Sequence, residues 1–354
     1  MMKFRLAALA TPEVNTDVLA AWELAAYFLG EFHPEELPLD VDEAREWYIN
    51  HIVDEQYRGD YREEPQMADD EMIENFTASL ISSAKTRAEA LGDHYPFVID
   101  ISGRLVRKEM VNVTHVSASY LGLQFFRAAT ARTVEIDGPN DTAIKECKEE
   151  FDREFRKLFE YIAAYTVAGR KSGAAYMTSD CRSSSRLNTL LTSICNKVGS
   201  GKVLTYDQWN KTQISANDGG IDCLVHVGGP NMPGDAHLLL VGATVQKANI
   251  ETKILGSDKV SFFTTFFTQQ PAAFQSALVR PLDEDELTID KCRQRNCLLF
   301  TYEQVWRSMG TRTGGNYQLQ SLTRLDAKAR KILRKMAKVV FLHDYEEYHV
   351  DIAA

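Results

Sequence analysis

The sequence predicts an α/β (α+β) protein, in which a small mixed sheet flanked by helices follows a mostly helical N-terminal domain. Apolar residues recur at helical spacing through residues 1–168, whereas residues 169–354 alternate short apolar runs with helical segments. The charge also changes sign. Residues 1–169 hold 17 basic and 32 acidic side chains, and residues 170–354 hold 23 and 18. We therefore expect two domains, an acidic one over 1–168 and a second one over 169–354. The acidic domain is expected to bind a protein partner or to have a regulatory role.

Composition excludes several classes of protein. The 354 residues are 44% hydrophobic and 25% charged, which is typical of a soluble globular chain. No apolar run approaches the roughly 18 residues that span a bilayer, and Leu6–Ala10 is too short for a signal peptide. The six cysteines form no C-x-x-C pair. We therefore expect reduced thiols, no structural zinc, no membrane association and a cytoplasmic location.

Helices dominate the predicted N-terminal domain. The charged, proline-containing stretch 58–70 is predicted to be a loop, and residues 97–101 and those from 104 onward are predicted to be extended around a Ser102-Gly103 turn. The sequence of this domain shows no catalytic constellation. Its predicted helices cover residues 15–29, 41–52, 70–91, about 117–131 and about 141–167.

The second domain is predicted to follow a linker over 168–179, AGRKSGAAYMTS, which is rich in Gly, Ala and Ser. Gly199-Ser200-Gly201-Lys202 resembles the end of a phosphate-binding loop, but the earlier glycine and the following Ser or Thr are missing, so we interpret Gly199 as a helix C-cap. The elements predicted after the linker are a helix over 181–198, strands over 203–206, 221–227 and 237–246, a helix from about 249, and strands over 277–280 and 297–302.

The best candidate site lies where two of these strands end. NDGGIDCLVHV, residues 217–227, places Asp222 at the start of a buried strand, and the next strand ends at Thr244 and Gln246. If the strands pair antiparallel, Asp222 approaches those polar residues. A carboxylate at a buried edge needs a positive partner, commonly a hard cation such as Mg²⁺. With Lys247 and Lys253 nearby, the set suits metal-assisted phosphodiester hydrolysis.

The same residues also have ordinary structural interpretations. Asn-Asp-Gly-Gly is a good turn sequence, and Asp222 then simply caps the turn. Lys247 and Lys253 are then solvated surface side chains. His226 and His237 lie in strand patterns and are interpreted as core or rim residues.

NDGGIDCLVHV followed by LLLVGATVQKANIETKI resembles the PD-(D/E)xK, or restriction-endonuclease-like, nuclease superfamily. The resemblance covers roughly residues 180–300. It implies a restriction-endonuclease-like sheet, Asp222 as principal metal ligand, Asp218 as the leading acid, and Mg²⁺ or Mn²⁺ as cofactor. Gln246 then completes the metal or phosphate contacts, and Lys253 is a lysine moved onto the following helix, with Lys247 in reserve. The usual second-strand acid of the Glu-x-Lys motif is missing.

A basic amphipathic helix is predicted over 324–338, and the sequence there suggests contacts with a nucleic-acid backbone. The predicted contacts are Lys328, Lys331, Arg334 and Lys335. The sequence therefore predicts a metal-dependent endonuclease acting on DNA, which the resemblance places in restriction or anti-phage defence. The alternative is a catalytically inactive nuclease-like adaptor or DNA-binding subunit of a defence complex.

Overall fold

The computed structural model of this chain describes residues 2–109, 114–137, 140–181, 183–208, 221–228, 237–245, 250, 257–309, 325, 327–333 and 339–342. The chain forms two compact units. The first unit comprises Met1–Phe155 with Ala329–Ala354, and the second comprises Arg156–Lys328. The sequence-based division is at residue 168, which lies inside a long helix, and it assigns the C-terminal segment to the second domain.

Long helices form most of the first unit. They are α1 (Thr16–Leu29), α2 (Val41–His51), α3 (Arg58–Glu63), α4 (Pro65–Leu91), α5 (His115–Ala131) and the first part of α6 (Asp141–Lys171). The helix predicted over 15–29 is confirmed, and the Asn15 side chain caps its start by accepting from the N–H groups of Asp17 and Val18. The predicted loop over 58–70 is wrong. Pro65 stands at the first position of α4, where a missing N–H has no cost.

Two small sheets complete the first unit. In one sheet, β1 (Met2–Leu6) lies between β5 (Val134–Asp137) and β13 (Val339–Leu342), and β13 runs parallel to β1. In the other sheet, β4 (Leu105–Arg107) lies between β2 (Glu31–Phe32) and β3 (Phe97–Ile99). The second sheet confirms the extended segments predicted around the Ser102-Gly103 turn.

A fully buried ion pair lies in the helical core of the first unit. Glu23 on α1 and Arg87 on α4 are 0% and 2% exposed, and Arg87 Nη1 lies 2.7 Å from Glu23 Oε2. Tyr95 and Tyr120 donate their hydroxyls to the same carboxylate at 2.8 Å, and Arg87 Nη1 also donates to Gln124 Oε1. Burial raises the pKa of Glu23, and Arg87 and the two tyrosines only partly oppose that shift.

The second unit is built on a mixed five-stranded sheet, so the α+β class predicted from the sequence is confirmed. Its strands are β6 (Ala174–Met177), β8 (Cys223–Val227), β9 (His237–Ala243), β11 (Phe274–Val279) and β12 (Cys297–Phe300). Their order in the sheet is β12-β11-β9-β8-β6. β9, β11 and β12 are mutually parallel, β8 is antiparallel to β9, and β6 is antiparallel to β8.

Helices cover the sheet of the second unit. The helices are α7 (Ser184–Val198), α8 (Ser257–Phe266), α9 (Glu286–Gln294) and α10 (Tyr302–Met309). The side chains of α7 pack with Leu224, Leu238, Leu240 and the phenylalanines of α8 in one buried cluster. A short ribbon, β7 (Lys202–Val203) with β10 (Phe267–Gln269), lies beside them.

Two local predictions in the second unit have opposite outcomes. Gly199 is the C-cap of α7, with φ at 72° and its N–H donated to Cys195 O, as the sequence predicts. The linker predicted over 168–179 is wrong, because α6 continues to Lys171 and residues 174–177 form β6. Among the residues that the structure describes, no helix is long and apolar enough to cross a bilayer.

Candidate functional site

Four of the five strands end at one edge of the sheet, and β8 begins at that edge. The reason is that β6, β9, β11 and β12 all run in the direction opposite to β8. In open α/β sheets this carboxyl edge is the usual place for a ligand. We call it the Asp222 edge, and it is formed by the residues that flank the strand ends: Thr178, Asp222, Thr244 and Arg280.

The Asp222 carboxylate is held against the end of β9. Its Oδ2 accepts the Ala243 N–H at 2.6 Å, and the Asp222 N–H donates to Val241 O at 3.1 Å. From the other side, the buried Thr178 hydroxyl donates to Asp222 O at 2.9 Å. The side chain is half-buried. A hydrogen bond to an ionised acceptor is about twice as strong as a neutral one, so β9 fixes the position of this carboxylate.

The end of β9 is in turn held by a buried ion pair. Thr244 donates its N–H to Val279 O at 3.2 Å, and its carbonyl accepts from Arg280 Nη1 at 3.0 Å. Arg280 Nε donates to Glu284 Oε1 at 2.5 Å, and both side chains are 3% exposed. This pair was not predicted from the sequence. Its signal was an arginine directly after the apolar run of β11, with an acid four residues later.

The antiparallel pairing predicted for the two strands is confirmed, since Cys223 pairs with Val241 and Val227 with His237. The Asp222 carboxylate accepts a hydrogen bond from the backbone of Ala243. The other residues predicted for the metal and catalytic site lie outside the described part of the chain. They are Asp218, Gln246, Lys247 and Lys253.

A second carboxylate lies just beyond the end of β6. Asp180 Oδ1 accepts a short hydrogen bond from the hydroxyl of Tyr161, which is 5% exposed. The ammonium of Lys328 lies 5.1 Å from the centroid of the Tyr161 ring, which is a cation–π contact. Asp180 was not predicted as a site residue, because the residues before it were interpreted as a linker.

The basic C-terminal helix is described at residue 325 and over 327–333. In the first unit, Lys331 Nζ lies 2.7 Å from Glu154 Oε2, and the Lys331 side chain is 49% exposed. A phosphate would therefore compete with a carboxylate for this lysine. Arg334 and Lys335 lie outside the described residues.

Within the described ranges, no group of three or more His, Cys, Asp or Glu side chains is placed to hold a metal ion. The chemistry of Asp222 is nevertheless compatible with a hard cation. An ionised carboxylate offers about four acceptor positions, more than one hydrogen bond uses. Protein-bound Mg²⁺ usually keeps several waters and uses one or two carboxylates, so Asp222 suits such an ion.

The two histidines of the hairpin lie away from the Asp222 edge. His226 is 7% exposed near the far end of β8, and burial lowers its pKa, helped by the charges of Lys197 and His237. A neutral imidazole in this place agrees with the interpretation of His226 as a core residue.

Comparison with protein-family models, with curated proteins and with solved structures finds no match to this chain. Arguments about its function therefore depend on the geometry above and on the sequence pattern.

Proposed function

We propose that this protein is a metal-dependent endonuclease that hydrolyses phosphodiester bonds in DNA, with Mg²⁺ or Mn²⁺ as cofactor. One observation carries the proposal: the antiparallel β8–β9 pair fixes the Asp222 carboxylate at the carboxyl edge of the sheet, 2.6 Å from the Ala243 amide. The chain then continues within four residues to Gln246 and Lys247. A single carboxylate at a strand end, followed closely by an amide and a lysine, suits an ion that binds phosphate.

In the proposed mechanism Asp222 is the principal metal ligand, with Asp218 and Gln246 as further contacts. A divalent cation held by these residues would lower the pKa of the attacking water and neutralise charge on the phosphate. Lys253, or Lys247 in its place, orients that water and offsets the negative charge that develops during the reaction. Lys328, Lys331, Arg334 and Lys335 contribute backbone contacts that add affinity without sequence preference.

The sheet topology supports a restriction-endonuclease-like domain in this proposal. An antiparallel strand pair is followed by a helical segment and then by a strand parallel to the second member of the pair. The acidic N-terminal domain is proposed to bind a protein partner that controls the nuclease, and a role in restriction or anti-phage defence is an analogy with that superfamily.

A non-catalytic adaptor or DNA-binding subunit is the second candidate. It is favoured because polar groups of the Asp222 edge make hydrogen bonds within the protein. Asp222 caps the last N–H of β9, and Arg280 takes the next carbonyl. Such contacts are sufficient to explain a carboxylate at this place by stability alone.

A pair of substitutions at Asp222 separates the two candidates. Asp222→Asn retains an oxygen that accepts the Ala243 N–H but removes the charge that a metal ion needs. Asp222→Ala removes both. The matched control is Asp290→Asn, which removes a carboxylate on an exposed helix of the same unit, where Asp290 bonds to Arg293.

Plasmid, single-stranded DNA and RNA are incubated with wild type and the three variants in Mg²⁺, Mn²⁺ or EDTA. If the protein is a nuclease that uses this site, wild type and Asp290→Asn cleave DNA. Asp222→Asn then loses cleavage, while its midpoint of urea unfolding stays near that of wild type. Cleavage that survives Asp222→Asn would exclude this site. No cleavage by wild type, even with cellular extract added, would favour the adaptor.

A further inference from the structure

Arg280 is a deeply buried cation at the Asp222 edge, with 2% of its surface exposed. Removing a guanidinium from water is unfavourable unless its charge is paired and its donors are satisfied. Here the donors are directed to two acceptors, the Thr244 carbonyl at 3.0 Å and the Glu284 carboxylate at 2.5 Å. Its backbone N–H also donates to Phe300 O at 2.8 Å, on the neighbouring strand β12. Two side-chain hydrogen bonds and one backbone hydrogen bond therefore fix this residue.

A continuous set of contacts joins Arg280 to Asp222. Arg280 holds the carbonyl of Thr244, and Val279 O accepts the Thr244 N–H. The preceding residue, Ala243, donates its N–H to Asp222 Oδ2 at 2.6 Å. Because Thr244 is fixed at both its N–H and its carbonyl, the Ala243 peptide has little freedom to move away from the carboxylate.

We infer that Arg280 is a positioning residue for Asp222, an inference that deepens the proposed function and rests on it for its catalytic consequence. Arg280 sets where the end of β9 lies, and the Ala243 amide then sets where the carboxylate lies. The planar fork of arginine reaches Thr244 and Glu284 together. The single ammonium of lysine lacks that geometry, so Lys at this position keeps the charge but loses the alignment.

The test uses the full-length chain and the variant Arg280→Lys. Arg293→Lys is the matched control, because Arg293 bonds to Asp290 at 2.9 Å on an exposed helix face. Amide hydrogen exchange is measured residue by residue along β9. We expect exchange at Ala243 to become roughly tenfold faster in Arg280→Lys, while Leu239 and Val241 in the strand centre keep their wild-type rates.

A double variant shows whether the effect passes through Asp222. In Asp222→Ala the Ala243 amide has already lost its acceptor, so adding Arg280→Lys should accelerate exchange there little further. In cleavage assays, Arg280→Lys should lower kcat by roughly 10- to 100-fold, because a small misplacement of a reacting group has that effect. KM should stay unchanged, since a buried arginine does not touch the substrate.

Two results would overturn the inference: an unchanged Ala243 rate in Arg280→Lys, or equal acceleration of all β9 amides, which would mean a general loss of stability. If Arg280→Lys does not fold, Glu284→Gln is measured instead, because it removes the carboxylate charge that holds Arg280 and keeps the guanidinium. If wild type cleaves no nucleic acid but the Ala243 response is selective, the proposed function fails and the positioning role stands.

Discussion

Replacing Arg87 by methionine is expected to destabilise the first unit by about 3–5 kcal/mol, the usual cost of removing one partner from a buried ion pair. Methionine retains much of the apolar stem, so the change chiefly removes the charge and its hydrogen bonds. Glu23, which is 0% exposed, would keep only the two tyrosine hydroxyls.

The magnitude follows from the contacts of the pair. At the observed 2.7 Å between Arg87 Nη1 and Glu23 Oε2, an effective dielectric constant of about 20 gives an attraction of about 6 kcal/mol. Protonation of Glu23 limits the loss, because a neutral carboxyl no longer needs a positive partner. The Arg87 donors to Tyr120 and Gln124 are lost as well, each worth about 1 kcal/mol.

Urea unfolding followed by tryptophan fluorescence measures this loss, since Trp22 is fully buried beside Glu23 in the sequence of α1. With a slope of about 2 kcal/mol per molar urea, the midpoint of the first unit should fall by roughly 2 M. The double variant Glu23→Gln/Arg87→Met, which removes both charges, should lose less than Arg87→Met alone.

Two outcomes would refute this reasoning. A loss below about 1 kcal/mol for Arg87→Met would place the pair in the class of weak surface ion pairs. A double variant less stable than Arg87→Met would mean that the uncompensated carboxyl is not the source of the destabilisation. Arg62→Met is the control, because Arg62 is 53% exposed and 3.3 Å from Glu46.

Three further predictions follow from other contacts. Because burial raises the pKa of Glu23 above 4.5, the stability that this carboxyl contributes is present below that pH and is lost as pH rises through the folded-state pKa. Wild type should therefore lose stability relative to Glu23→Gln over that window, as urea midpoints at a series of pH values will show. Gly173→Ala should cost about 1–3 kcal/mol, since its Cβ would lie 2.6 Å from His226 O, whereas Gly59→Ala on α3 has open space and should be neutral or stabilising in thermal unfolding. Lys331→Ala should lower the slope of log affinity against log salt concentration by about 1 in fluorescence anisotropy of DNA binding, as expected for one lost phosphate contact, and an unchanged slope would show that Lys331 stays paired with Glu154 instead.

Local sequence signals were sufficient for the helices. Caps and apolar spacing define α1 between Asn15 and Gly30, and Gly199 ends α7. These signals act between residues three or four apart, so they need no tertiary context. They failed at the start of α4, where Pro65 was interpreted as a loop residue although a proline at the first helical position agrees with helix geometry.

Composition misled the prediction at β6 for a different reason. Gly173 and the two alanines of β6 resemble a linker, but their small size reflects close packing. A Cβ on Gly173 would lie 2.6 Å from His226 O and 2.9 Å from Val225 Cγ1, and Ala175 is buried on the strand. Small residues in a flexible linker and small residues at a close approach look the same in a sequence.

By itself, the sequence determined the α+β class, most of the helices, the antiparallel strand pair and the placement of Asp222 at a strand end. Tertiary structure alone decided that β13 joins β1, that Ala243 holds the Asp222 carboxylate, and that Arg280 reaches the Thr244 carbonyl at the end of β9. The difference is physical. Periodicity and capping act over a few neighbouring residues, whereas a buried hydrogen bond or ion pair depends on atoms brought together by chain segments far apart.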